Sequence, residues 1–146
     1  MRKIISHRGN LSGPNPELEN SPAYIMEALH KGYDVEIDLW YIDGVLSLGH
    51  DGPEYATDYS FLSNEGLWIH CKNIMALSYM LPADNYFNVF YHANDDVTLT
   101  SKGYLWTYPG KLVFGNSIAV MPEMVKGWNI KGAYGVCTDF PLKYKI

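Results

Sequence analysis

An α/β fold with parallel strands is predicted by three observations. Seven short runs rich in β-branched and aromatic residues recur along the chain, each bounded by turn residues. A clear helix pattern separates the first two runs, so strand, helix and strand alternate. Polar side chains collect where each run ends, and parallel α/β folds gather their sites at the carboxyl ends of strands.

The first run is Lys3 to Ser6, "KIIS". A helix is predicted over Pro22 to Lys31: Ser21 can cap it, Pro22 suits the first turn, and Gly32 suits the stop. The second strand, Val35 to Trp40, runs into a hairpin at "YIDGVLSL", where Asp43-Gly44 is a two-residue turn signal. Leu67 to His70 comes next, followed by a shorter helix over Asn73 to Leu81. The remaining strands are Tyr86 to Tyr91, Gly103 to Tyr108, Ser117 to Met121 and Tyr134 to Thr138. The later connections are too short or too rich in Gly and Pro for long helices.

Composition sets the frame. The 146 residues are 47% apolar and 14% aromatic, enough for one domain, residues 1–146, with a real core. A net charge of -5 argues against a nucleic-acid backbone partner but leaves small phosphates open. No stretch approaches the ~18 apolar residues of a membrane span, and "MRKIISHRGN" lacks the apolar segment of a secretory leader. Cys71 and Cys137 form no metal or redox motif, so a reducing compartment, the cytoplasm, is expected.

The strand ends carry the chemistry. His7 and Arg8 end the first, Glu36 and Asp38 lie within the second, and His70 and Lys72 end the third. His92, Thr107 with Tyr108, Glu123, and Thr138 with Asp139 follow the others. Glu36 and Asp38 are two apart, so in a strand they share a face, where like charges repel and burial is costly. A divalent cation with a taste for oxygen would relieve this; an ion pair with Arg8 or Lys72 would do so in part. His7, and His50 in "LGHDG", suit proton transfer near neutral pH, or hydrogen-bonded structural roles. Arg8 and Lys72 suit a phosphate. Trp40, Trp68, Trp106 and Tyr108 could stack on a sugar or base, or fill the core.

In order, "HRGN", "PELEN", "GYDVEIDLW" and "DGVLSLGHD" resemble the signature of the glycerophosphodiester phosphodiesterase family. That family opens with HRG, continues through a PEN segment and an E-x-D strand, and reaches an HD pair after a DG turn. "WIHCK" sits where the family has a strand reading roughly E-x-K, and "VCTDFP" resembles its closing T-D-x-P strand; no segment between about residues 73 and 136 matches.

The resemblance implies a TIM-type (β/α) barrel, here reduced to seven or eight strands with few outer helices, since the usual barrel takes ~250 residues. It implies a metal-dependent phosphodiesterase hydrolysing a small glycerophosphodiester-like substrate. His7 and His50 would be general acid and base. Glu36 and Asp38 would hold a divalent cation, Mg²⁺ or Ca²⁺ most directly, with Arg8 and Lys72 on the phosphate and Glu19 near the site. The family's third metal carboxylate falls at His70, a ligand better suited to Mn²⁺ or Zn²⁺ than to Ca²⁺, and Glu19 or Glu123 could complete the shell. Two alternatives share the fold: a lyase releasing a cyclic phosphate, and a non-catalytic module binding a phosphate ligand. A barrel short of outer helices would expose apolar surface, so a homo-oligomer is expected.

Overall fold

A computed structural model describes residues 2–82 and 86–145. Strand β1 (Lys3–His7) leads through the turn at Arg8 and Gly9 to helix α1 (Pro22–His30). Pro22 opens α1 as expected; Ser21 holds the cap position with extended backbone but makes no side-chain cap bond. Ile25 and Ala28 are the buried face of α1. Strand β2 (Asp34–Ile42) turns back as β3 (Val45–Leu48) through Asp43 and Gly44, both at positive φ, the geometry of a type I′ hairpin. After β4 (Tyr55–Ala56) comes a one-turn helix, α2 (Tyr59–Leu62), capped by Asp58, whose side chain accepts from the Phe61 amide. Strand β5 (Leu67–Cys71) is followed by α3 (Ile74–Met80), capped in the same way by Asn73 on the Ala76 amide. The rest is nearly helix-free: β6 (Asn88–Tyr91), β7 (Val97–Leu99), β8 (Leu105–Thr107), β9 (Ser117–Val120) and β10 (Gly135–Thr138), with single 3₁₀ turns at Pro122–Met124 and Pro141–Lys143.

All strands join one mixed, 10-stranded sheet. Its parallel part has the spatial order β6-β5-β2-β1-β10-β9-β8, so the first strand pairs with the last. The antiparallel pieces are β3 on the outer half of β2, β4 on β3, and β7 on β8. The described ladders make a curled, open half-barrel rather than a closed ring. At the open seam hydrogen bonds cross without a ladder: Ser101 N to Val89 O at 2.8 Å, Val89 N to Ser101 Oγ at 2.9 Å, Ser101 Oγ to Phe87 O at 2.9 Å, and Thr98 Oγ1 to Tyr91 O at 2.9 Å.

Strand alternation sorts the side chains into two layers. On one face Ile4, Val35, Ile37, Leu39, Leu67, Ile69, Val89 and Val136 pack with Ile25 and Ala28 of α1 and with Ala76 and Met80 of α3. On the inner, concave face Ile5, Trp68, Phe90, Trp106, Ile118 and Cys137 make a second cluster. Burying a large apolar side chain contributes about 1.5–3 kcal/mol, so this inner layer is a substantial part of the core. Trp68 and Trp106 are packing residues: both are buried, with ring centroids 5.8 Å apart. Trp40 is tied by its indole N–H to the Gly49 carbonyl at 2.7 Å. Among the described residues no helix is long and apolar enough to cross a membrane.

Candidate active site and metal centre

Toward the carboxyl ends of β1, β2 and β5 the apolar inner layer gives way to His7, Glu36, Asp38 and His70. The ladder register places His7 opposite Glu36, and Asp38 opposite His70. With Val35, Ile37 and Leu39 committed to the helix-covered face, Glu36 and Asp38 must point inward, and both are buried. The two acids and His70 offer ligand atoms all within 4.8 Å of one another. His70 Nδ1 lies 3.2 Å from Asp38 Oδ1 and 3.7 Å from Glu36 Oε1. The His70 ring is held in this orientation by Phe90, stacked at 5.0 Å with only 8° between planes.

Asp38 is the most heavily surrounded group. Asn20 grips it twice, donating from Nδ2 to Oδ2 and accepting the Asp38 amide on Oδ1, both at 2.9 Å. Arg8 Nε lies 3.1 Å and His50 Nδ1 3.5 Å from Oδ2, while Lys72 Nζ lies 3.7 Å from Oδ1. Burial alone would raise the Asp38 pKa, but His50, His70 and Arg8 hold it well below the ordinary carboxylate range. His70 is pulled the other way: burial opposes its charge, yet Asp38 and Glu36 raise its pKa. Even so, Asp38 Oδ1 and Glu36 Oε2 are buried without a hydrogen-bond partner, which is costly for a carboxylate. Two buried carboxylate oxygens that accept no hydrogen bond, one of them 3.2 Å from an imidazole nitrogen, fit a divalent cation.

Local backbone geometry presents these groups. Arg8 sits at φ 56, an uncommon conformation for a residue with a side chain, and Gly9 follows at φ 92. A Cβ on Gly9 would meet the Tyr24 ring, so this turn requires glycine. Gly49, before His50, is equally constrained, because a Cβ there would run into the Gly52 carbonyl. Glu19 braces the turn: its carboxylate accepts from Arg8 Nη1 at 3.2 Å, from Asn10 Nδ2 at 2.8 Å and from the Asn15 amide at 3.2 Å. It stands outside the trio of ligand groups. Glu123 is outside it too, accepting from Thr138 Oγ1 and the Asp139 amide, both at 2.9 Å.

His7 has a partner at its back. Its Nδ1 lies 2.7 Å from Asp139 Oδ1, and Asn10 Nδ2 donates to the same oxygen at 2.9 Å. Its Nε2 faces Glu36 Oε2 at 3.9 Å. Burial disfavours charge on His7, but the Asp139 hydrogen bond and the Glu36 charge outweigh it, and its pKa is raised. Burial likewise works against the Asp139 charge, and His7 overrides it to lower that pKa.

His7, Arg8, Glu36, His50, His70 and Lys72 line one cavity of about 400 Å³. Its other wall is largely apolar, made by Trp106, Val120, Met121 and Met124 with Tyr108 and His92. The Tyr108 and His92 rings stack at 3.8 Å, and the Tyr108 hydroxyl and His92 Nδ1 are buried without partners. The roles of Asn20 and Asp139 escaped the sequence reading. Their places in "PELEN" and "VCTDFP", and for Asp139 its position at the end of the last strand, were the signals; the contacts that define them span 18 and 132 residues.

No protein-family model matches the chain, and a search of curated proteins returns no match. The fold and cavity therefore define the class: an α/β protein with one polar, acid-and-histidine cleft at the carboxyl end of its parallel strands.

Proposed function

We propose that this chain is a metal-dependent phosphodiesterase that hydrolyses a small glycerophosphodiester-like substrate. The observation that carries this reading is the meeting of Glu36 and His70 with the fully buried Asp38, one carboxylate oxygen of each acid accepting no hydrogen bond, beside the cavity that Glu36 and His70 line together with His7, His50, Arg8 and Lys72. The resemblance of "HRGN", "PELEN", "VEIDLW" and "LGHD" to the glycerophosphodiester phosphodiesterase signature supports it independently of geometry.

The same reading takes the curled sheet as a reduced (β/α) barrel. The parallel strands neighbour one another in chain order and the last returns to the first, as barrel strands do. The seam beside β6 is crossed by a hydrogen bond from Thr98 of β7 and by the Ser101 hydroxyl just beyond it. We place the protein in the cytoplasm, in keeping with two free, buried cysteines, Cys71 and Cys137. Exposed Ile74, Met75 and Tyr79 on α3 support the homo-oligomer reading.

In the chemistry we assign, Glu36, Asp38 and His70 hold the divalent cation: Mg²⁺, Ca²⁺ or Mn²⁺. When bound, it supplies positive charge for the phosphoryl oxygens as negative charge builds on them. Arg8 and Lys72 add fixed positive charge and orient the diester. His7 donates a hydrogen bond from Nδ1–H to the Asp139 carboxylate, which leaves Nε2 free to take a proton from the attacking water. The water oxygen bonds to phosphorus and the P–O bond to the alcohol breaks. His50, half-exposed beside Arg8, protonates the leaving oxygen. The products are an alcohol and a phosphomonoester.

The test is a rate screen on bis-p-nitrophenyl phosphate and glycerophosphodiesters, in EDTA and with each divalent cation restored. Turnover that depends on the cation is expected. Binding of phosphate esters with no turnover under any cation would replace this reading with the non-catalytic binding module.

A further inference from the structure

We infer that the metal centre is built for a borderline transition ion, Zn²⁺ or Co²⁺ and more weakly Mn²⁺, ahead of Mg²⁺ and Ca²⁺. This rests on the metal-site part of the proposed function and not on its phosphodiester chemistry.

The donor set is two carboxylates and one imidazole. Ca²⁺ takes six to eight oxygens and Mg²⁺ a near-octahedral oxygen shell, so an imidazole at a core position serves both poorly. Imidazole nitrogen suits Zn²⁺ and its neighbours, whose affinities rise from Mn²⁺ through Co²⁺. His70 is a fixture of this site. Its ring lies flat on Phe90, and it is largely buried in contact with both acids.

The nearby acids are already engaged. Glu19 is bonded to Arg8, Asn10 and the Asn15 amide, Glu123 to Thr138 and the Asp139 amide, and Asp139 to His7 and Asn10. Recruiting them to complete an oxygen shell would break those bonds.

Arg8 and Lys72 lie 3.1 and 3.7 Å from Asp38 oxygens, so any arriving dication meets two cations and the same repulsion. The ion that gains most from the imidazole is the one best able to offset it.

The experiment is calorimetric titration of EDTA-stripped protein with Zn²⁺, Co²⁺, Mn²⁺, Mg²⁺ and Ca²⁺ separately. One site is expected, with Zn²⁺ and Co²⁺ at least ~10-fold tighter than Mg²⁺ and Ca²⁺ and Mn²⁺ between them. His70→Glu should weaken Zn²⁺ and Co²⁺ by ~10-fold or more and strengthen Ca²⁺. Should His70→Glu fail to fold, pulsed electron paramagnetic resonance on the Mn²⁺-loaded wild type decides instead. Nitrogen modulation from a bound imidazole is expected there, and its absence overturns the inference. Ca²⁺ or Mg²⁺ binding as tightly as Zn²⁺ also overturns it. So does no binding of any ion, which would make protonated His70 the cation of the site. These measurements ignore turnover. The expected order in a protein that cleaves no diester would sink the phosphodiesterase reading and leave this inference standing. Hydrolysis with Ca²⁺ bound tightest would do the reverse.

Discussion

His7 Nδ1 and Asp139 Oδ1 stand 2.7 Å apart across 132 residues of chain, joining the end of the first strand to the residue just after the last. The contact fixes which imidazole nitrogen carries the resting proton and turns the other toward Glu36. Asp139→Asn should therefore leave the fold intact and lower turnover by ~10²-fold or more, because the amide no longer enforces the useful tautomer. Rates beside circular dichroism on the same variant check this.

The same pair gives a pH dependence with a definite sign. His7 titrates above its ordinary 6.5 when folded, so its contribution to stability is full below 6.5 and is lost as pH rises through the folded value. Asp139 titrates below its ordinary 3.8, so its contribution is present above 3.8 and is lost as pH falls through the lowered value. Both operate together between 3.8 and 6.5. In metal-free protein, wild type should exceed Asp139→Asn in urea stability most at about pH 5, with the gap narrowing by about pH 9. A gap that widens with pH would reverse the assignment.

His50 has a half-exposed side chain and packs little. His50→Ala should cost ~10²–10⁴-fold in rate, as removal of a general acid does, and shift stability by no more than ~0.5 kcal/mol. A near-wild-type rate with metal present would remove His50 from the mechanism.

Asn20 is buried at φ 63, a backbone region asparagine tolerates better than most residues, and it bonds both the amide and one carboxylate oxygen, Oδ2, of Asp38. Asn20→Ala should lower stability by about 1–3 kcal/mol, since it strands buried polar groups. It should also weaken metal binding, because Asp38 loses its anchor. Denaturant melts and metal titrations on the variant read the two effects separately.

The Tyr108 hydroxyl is buried at the cavity wall without a partner, and burial first, with Glu36 behind it, pushes its pKa up. Tyr108→Phe should leave stability level or slightly raised, because an unsatisfied group is removed. If the hydroxyl receives a substrate oxygen, KM should rise in the same variant. An unchanged KM would assign the ring to packing alone.

The main strands were legible because each is a β-branched or aromatic run closed by a turn signal. Asp43-Gly44 announced its hairpin for a stereochemical reason, both residues adopting positive φ. The outward-facing Val35, Ile37 and Leu39 implied an inward Glu36 and Asp38 by alternation alone. What escaped was short or distant. Strands Tyr55–Ala56 and Val97–Leu99 are too brief for any period, and Tyr59–Leu62 is one turn whose sequence signal is the Asp58 cap. Tyr86 and Phe87 read as strand but lie outside β6, which begins at Asn88. Ser21 sat where a cap was expected without making the bond. The brace of Glu19 on Arg8 and the clamp of Asn20 on Asp38 depend on loops folding back, which no local pattern encodes.

In the proposed function Glu36 and Asp38 hold a cation that the reaction needs. The most direct test of that role is the initial rate on bis-p-nitrophenyl phosphate for wild type and Glu36→Gln, after EDTA treatment, as Mn²⁺ or Mg²⁺ is raised from micromolar to tens of millimolar. No wild-type turnover is expected without metal, and saturation as it is added, with Glu36→Gln needing far more metal and recovering part of its rate. A wild-type rate indifferent to EDTA, or a Glu36→Gln deficit that ignores metal concentration throughout, would contradict it.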